Sequence, residues 1–268
     1  MSALSDPAPW DVVADGYTRV TMSLFSAYSE AALEYVPVRT NDHIADIACG
    51  PGTLAMLAAE RGAQVAAVDF SANMIARLKE NVAAQGLGEV RPRRGDGQEL
   101  PFDDSVFDAA FSMFGLMFFP NRTKGYREML RTLRPDARGC VSSWAPVAES
   151  SLLLTMLKAM QEVNPDIPDP EYDINSLENP QVLRSEMSYS GFRNVEVYSV
   201  DETTEYACPK TFWEDMAQGS APTAIMKAKM PADEWRSKSE LAIRHIDKIA
   251  GPFPRRFNAK AWLGVGRK

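Results

Sequence analysis

The stretch "ADIACGPGTLA" (residues 45–55) decides how the chain is read. An apolar run closes on two glycines flanking a proline and then resumes as a helix. This is the pattern of a buried strand that turns sharply into a helix. Asp46 stands just before the turn, where an unpaired charge is expensive to bury. Whatever compensates Asp46 therefore indicates what the turn binds.

Working outward, short β-type runs alternate with helical ones. Residues 43–48 read as a first strand and 53–61 as a helix. "AQVAAVDF" (63–70) is a second strand, followed by a helix over 71–86 with Ser71 as N-cap and Gly86 as stop. Residues 89–95 and 105–114 read as the third and fourth strands, 121–135 as a helix stopped by Pro135, and 137–145 as the fifth strand. Such alternation predicts an α/β, Rossmann-like parallel sheet with helices on both faces. Beyond it lie an amphipathic helix over 149–163, an acidic proline-rich loop over 164–173 and a helix over 179–190. Residues 193–207 and 259–268 read as two late strands with a helical insertion between them, at about 208–258. No flexible linker marks a boundary, so a single domain is expected over 1–268.

Composition narrows the function. Of the 268 residues 45% are hydrophobic and 24% charged, as in an ordinary globular protein. The net charge of −7 and the lack of a basic cluster argue against nucleic acid as a partner. The densest positive run, Arg91-Pro92-Arg93-Arg94, reads as a solvated strand entry. No run approaches the roughly 18–20 apolar residues of a membrane span. Met1 to Asp15 carry acids where a secretory signal needs a basic end, and the three cysteines (Cys49, Cys140, Cys208) are scattered. A cytoplasmic protein with reduced thiols is the expectation. With only His43 and His245 as histidines, no metal site is expected.

Gly50-x-Gly52-x-x-Ala55 formally fits a dinucleotide fingerprint, with Asp69 at about the expected interval. The spacing says only that a ligand approaches the backbone at a helix N-terminus. A dinucleotide brings a pyrophosphate, which Asp46 would repel. S-adenosylmethionine brings an ammonium and a sulfonium, which stabilise a nearby carboxylate. Asp46 favours S-adenosylmethionine. Asp69, closing the second strand, is then placed to accept the hydroxyl hydrogens of a ribose. Phe70 and Met74 offer apolar surface to an adenine ring. Asp96, after the third strand, can accept from the adenine amino group, with Gly97 clearing room for the base.

The stretches "DIACGPG" (46–52), "VDFSANMI" (68–75), "GDGQELPFDDSVFD" (95–108) and "MLRTLRPDARG" (129–139) occur in order within about the first 145 residues. In these the chain resembles class I S-adenosylmethionine-dependent methyltransferases, and among them the ubiquinone/menaquinone-biosynthesis C-methyltransferases and their small-molecule relatives. The resemblance implies seven strands in the order 3-2-1-4-5-7-6, with strand 7 antiparallel. It divides the domain into an N-terminal helical lid (1–42), a cofactor-binding core (43–145) and a C-terminal part (146–268). Carried over residue by residue, Asp46, Ala48, Gly50 and Gly52 line the methionine end, Asp69 the ribose, and Asp96 and Gly97 the adenine. Ser112 and Met113 then lie near the transferring methyl. The lid covers the cofactor, with an aromatic such as Tyr17 against the sulfonium.

"FSMFGLMFFP" (111–120) follows the fourth strand. Phe111 reads as core, whereas Met113, Phe114, Met117 and Phe118 divide between core and acceptor pocket. Trp144 and Glu149 follow the fifth strand at the same rim. Glu149 serves equally as an N-terminal helix charge. Tyr17 and Glu149 are the candidates for a catalytic group, and no strong general base stands out. Cys49 and His245 read as structural, and His43, at the end of the sheet away from the ligand, as a surface residue. The expected reaction is in-line methyl transfer to a small, largely apolar acceptor, driven by proximity and desolvation. The alternatives are a nicotinamide-dependent oxidoreductase, which Asp46 disfavours, and a non-catalytic module that keeps the cofactor site. The acceptor and the oligomeric state are not legible.

Overall fold

The computed structural model describes residues 3–170 and 173–268, so residues 1–2 of the expected lid and 171–172 of the acidic loop lie outside the described residues. Seven strands form one sheet: β1 (His43–Ile47), β2 (Gln64–Asp69), β3 (Val90–Arg94), β4 (Phe107–Ser112), β5 (Leu133–Trp144), β6 (Arg193–Tyr206) and β7 (Arg255–Arg267). Their spatial order is β3-β2-β1-β4-β5-β7-β6. β7 runs antiparallel to both neighbours, and the β3-to-β5 pairs are parallel. The expected Rossmann-like sheet with an antiparallel last strand is borne out.

Nine α-helices occur among the described residues: α1 (Pro7–Tyr35), α2 (Thr53–Glu60), α3 (Ala72–Gln85), α4 (Arg122–Thr132), α5 (Ser151–Val163), α6 (Pro180–Tyr189), α7 (Pro209–Gly219), α8 (Ala221–Ala228) and α9 (Ala232–Ala250). Their starts follow local chemistry. Asp6 accepts the Ala8 N–H with Pro7 opening α1, Ser71 accepts the Met74 N–H at α3, and Asn121 accepts the Lys124 N–H at α4. Each side chain satisfies a donor that the helix leaves unpaired. Gly86 ends α3 with a left-handed φ of 69°. α7, α8 and α9 fill the space in sequence between β6 and β7, as expected of the insertion.

The α4 boundary differs from the sequence reading. The helix stops at Thr132, three residues before Pro135, and Leu133 already belongs to β5, fully buried opposite Phe107. Burial of Leu133 outweighs the helical preference of the residues before the proline. β5 then bulges, with Asp136 at φ 63°, before regaining register at Arg138 against Ala109. Pro92 is accommodated because β3 is an edge strand.

Side chains alternate between the sheet faces. Ile44, Val65 and Phe111 pack with Leu33 of α1, Leu54 and Ala58 of α2 and Leu78 of α3. Ala45, Ile47 and Val141 pack with Tyr126 and Met129 of α4 and Leu183 and Met187 of α6. A third cluster joins α5, α7 and α9 to Phe257 and Ala259 of β7. Asp46 shares the face of Ile44, so its carboxylate lies on the side covered by α1 and α2.

Candidate active site

The parallel strands β1 to β4 end together, and the turns beyond them enclose a cavity of about 280 Å³. The β1 turn supplies Ala48 and Gly50, β2 supplies Asp69 and Phe70, and the residues after β3 supply Gly95 to Gln98. The segment after β4 supplies Met113 to Gly115 and Phe118 to Pro120, while Trp10 and Tyr17 of α1 cover the top. A smaller annex of about 40 Å³ shares Tyr17, Ala48, Gly50, Met113 and Phe114 and runs inward to Asp46.

The turn owes its shape to unusual backbone. Gly50 and Gly52 have φ of 53° and 95°, and a β-carbon at Gly52 would lie 2.1 Å from Leu78 Cδ1 of α3. At Gly50 a β-carbon would meet only the Tyr17 ring at 4.0 Å, so glycine leaves its place as cavity. Ala48 and Phe114 also adopt positive φ, 56° and 55°, and both line the cavity and the annex. Left-handed backbone at a non-glycine residue costs on the order of 1 kcal/mol and concentrates at functional sites.

Two buried carboxylates dominate the electrostatics. Asp46 is 1% exposed; it accepts the Ala55 N–H, and its Oδ2 has no partner. Desolvation pushes its pKa up to about 7, opposed by that N–H and reinforced by the charge of Asp69. Asp69 accepts from Gly50 N at 2.9 Å and Ser71 N at 2.8 Å. Its pKa rises to about 6, again chiefly through desolvation, with these N–H groups pulling it down and Asp11 pushing it up. Asp11 links α1 to the same turn, accepting from Ser71 Oγ at 2.6 Å and Asn73 N at 3.0 Å. Burial holds the Tyr17 hydroxyl above the ordinary tyrosine range, with Asp69 adding to the effect. The Cys49 thiol is pushed well up by burial, then by Asp46 and Asp69, so it is no nucleophile at neutral pH.

Most residues singled out in the sequence meet here. Tyr17, Ala48, Gly50, Asp69, Phe70, Met74, Asp96, Gly97, Met113, Phe114 and Phe118 line the main cavity, and Asp46 lines the annex. Gly52 and Ser112 lie beneath the walls, packed against Leu78 and buried beside Gly115 respectively. Three further positions lie outside the cavity lining. Met117 turns away and packs in the α4 side of the core. Trp144 stacks on Phe114 at 4.2 Å and packs with Phe25 and Tyr28, behind the wall rather than in it. Glu149 sits in a short helical turn, where Lys260 Nζ binds its carboxylate at 2.6 Å. That ion pair withdraws Glu149 from the cavity.

The two histidines lie elsewhere: His43 is exposed at the opposite end of β1, and His245 Nδ1 is 3.0 Å from Glu162. Among the described residues no group of three or more His, Cys, Asp or Glu could hold a metal. Sequence reasoning missed Ser5, Trp10, Gln98, Gly115, Phe119 and Pro120 as cavity walls. Gly97 and Gly125 gave a signal for Phe119, because a β-carbon at either would lie 2.4 Å and 2.6 Å from that ring.

A sheet of this order, with a glycine turn after β1 and acids at the end of β2 and just after β3, is an open α/β fold of Rossmann type with its cavity at the carboxyl ends of the strands. A family described as "Methyltransferase domain" matches residues 44–136. Demethylmenaquinone methyltransferase of Thermus thermophilus is 32% identical over 177 residues, covering 61% of this chain and 78% of that protein. Demethylmenaquinone methyltransferase of Desulfitobacterium hafniense is 33% identical over 123 residues, 44% of this chain and 48% of that one. The crystal structure of a putative methyltransferase from Bacillus halodurans shares the fold, with a TM-score of 0.59 at 16% identity over 90% of this chain and 99% of that one. The chain belongs to the class I S-adenosylmethionine-dependent methyltransferases. The nicotinamide alternative falls with that assignment.

The residues present fit this cofactor. Asp46 offers an unpartnered buried oxygen that a cation would satisfy, and Gly50 leaves its side-chain volume open. The Asp69 oxygens retain lone pairs beyond the two N–H groups they accept.

Proposed function

We propose that the chain methylates a small, largely apolar acceptor, with Asp46 holding the cationic methionine end, Asp69 the ribose and Asp96 the adenine. The observation that carries this reading is the unpartnered Oδ2 of Asp46 at the end of an annex whose other lining residues are all uncharged. When bound, S-adenosylmethionine supplies an electrophilic methyl on a sulfonium. Tyr17 presents a ring rather than a base, since its hydroxyl stays protonated at neutral pH. Phe25, Met113 and Phe114 keep water from the annex, which strengthens every electrostatic interaction inside it. The chain positions and desolvates, and an acceptor that is already nucleophilic needs no further group.

In this reading α1 is the lid over the 43–145 core, and the helices between β6 and β7 flank the acceptor side. The acidic net charge and the aromatic cavity support a small molecule over nucleic acid, and free cysteines support a reducing, cytoplasmic setting. No helix among the described residues is long and apolar enough to cross a membrane. Incubation with methyl-labelled S-adenosylmethionine and cell extract tests the proposal. Label is expected in small, organic-extractable molecules. Label confined to nucleic acid or protein would overturn it.

A further inference from the structure

Gln98 ties together the two walls at the outer end of the cavity. Its backbone N–H donates to Asp96 Oδ1 at 2.8 Å, and its Nε2 lies 3.2 and 3.3 Å from the two Asp96 oxygens. Its Oε1 accepts the backbone N–H of Asn121 at 3.0 Å. Asn121 follows the wall residues Phe118 to Pro120 directly and caps α4 through the Lys124 N–H at 2.9 Å.

This network forces the direction of the amide. A backbone N–H can only donate and a carboxylate can only accept, so Oε1 must face Asn121 and the NH₂ must face Asp96. The opposite orientation would set two donors and two acceptors against each other. Asp96 is an exposed side chain at the end of β3, and without the Gln98 amide only the Gln98 backbone N–H on Oδ1 would restrain it. Gln98 fills part of its accepting capacity and leaves the rest for a donor inside the cavity.

We propose that Gln98 is a positioning residue for base recognition: it holds Asp96 as a fixed acceptor and spaces the β3 wall from the wall after β4. The site then selects a purine with an exocyclic amino group over one with an oxo group there. The inference rests on reading Asp96 as the adenine acceptor and adds the group that orients it. An oxo group would place an acceptor against an immobile carboxylate. Without the Gln98 amide Asp96 keeps only the backbone N–H on Oδ1, its Oδ2 is no longer fixed, and selectivity falls even in a fully folded protein.

The test is calorimetric binding of S-adenosylhomocysteine and S-inosylhomocysteine to the full chain, with thermal unfolding as the check on folding. The unaltered protein should prefer the adenosyl compound about a hundredfold or more. Gln98→Met, which keeps length but removes the donors, should bind S-adenosylhomocysteine about tenfold more weakly and lose most of the preference. Gln98→Glu, isosteric and charged, should lose at least as much. In an Asp96→Ala background, Gln98→Met should change the preference between the two compounds no further. If both Gln98 variants keep the full preference while Asp96→Ala abolishes it, Gln98 does not position the acid and the inference is overturned. If Asp96→Ala itself keeps the preference, the adenine assignment of Asp96 fails instead, and the inference with it.

Discussion

The two ends of the cavity hold their acids in opposite ways. At the inner end Asp46 is buried, takes a single N–H and leaves one oxygen unpartnered among aromatic and small residues. At the outer end Asp96 is exposed and hydrogen-bonded by its neighbour Gln98. The inner acid waits for a cation because nothing else satisfies it. The outer acid is oriented beforehand and needs only a neutral donor. In the proposed reading, charge recognition rests on an acid with an unpartnered oxygen and base recognition on an acid oriented in advance.

Removing the inner charge should have the largest effect. Asp46→Asn keeps an acceptor for Ala55 but loses the attraction for a cation, and cofactor affinity should fall by about 2–3 kcal/mol. The empty protein should meanwhile become more stable near pH 8. The sign follows from linkage: the folded pKa, about 7, lies above the ordinary value of 3.8, so the native state holds the extra proton. Stability from this group is present at low pH and is lost as pH rises from about 4 through about 7. Asp46→Asn should flatten that slope in thermal unfolding. An unchanged slope would show that Asp46 is not the titrating group.

The same contrast predicts proton release. Near pH 6, binding of the cationic methionine end should expel a proton from Asp46, and the observed heat should vary with buffer ionisation enthalpy. The dependence should vanish above pH 8.5 and in Asp46→Asn. Persistence in that variant would assign the proton elsewhere, with Asp69, raised to about 6, the first alternative.

Between the two ends, Asp69→Ala should weaken cofactor binding by about 2–3 kcal/mol through the lost ribose acceptor. It should also destabilise the fold by about 1–3 kcal/mol, because the Gly50 and Ser71 N–H groups lose their partner. Loss of affinity with unchanged unfolding would mean that these N–H groups find another acceptor.

Smaller effects are expected at the lid. Tyr17→Ala should reduce affinity by roughly 0.5–2 kcal/mol, and Tyr17→Phe by much less, since the ring rather than the hydroxyl faces the turn. Equal loss in both variants would give the hydroxyl a role. Deleting residues 1–20 is a harsher change than the sequence suggests. Val13 and Ala14 are buried with Met74 and Ala221, so the truncation should lower stability as well as affinity. Thermal unfolding beside calorimetry separates the two losses.

The sheet was legible because strand and turn chemistry coincide in the first half: apolar runs end at the glycines and acids that also line the cavity. Asp46, Asp69 and Asp96 were readable for that reason. What the sequence hid depends on three-dimensional pairing. Glu149 looked available until Lys260, far along the chain on β7, was placed against it. Trp144 and Met117 belong to apolar runs whose inward and outward members local pattern does not separate. Gln98 looked like one polar residue of a loop, and only the arrival of Asn121 gives its amide a direction. The left-handed backbone of Ala48 and Phe114 has no signature in composition at all.

One further contact bears on the order of events in turnover. A β-carbon at Gly16 would lie 2.1 Å from the Gln218 carbonyl oxygen, so the lid helix and the last turn of α7 touch backbone to backbone. The proposed covering of the cofactor and the insertion helix α7 therefore share a mechanical joint. Lifting α1 to admit or release cofactor disturbs α7, and anything pressed against α7 resists that lifting. If α1 is the lid proposed above, an ordered sequence is expected, with cofactor entering first and its demethylated product leaving last. Product-inhibition patterns would reveal it, with S-adenosylhomocysteine competitive against S-adenosylmethionine alone. Gly16→Ala, by forcing the joint apart, should shift the pattern toward random addition.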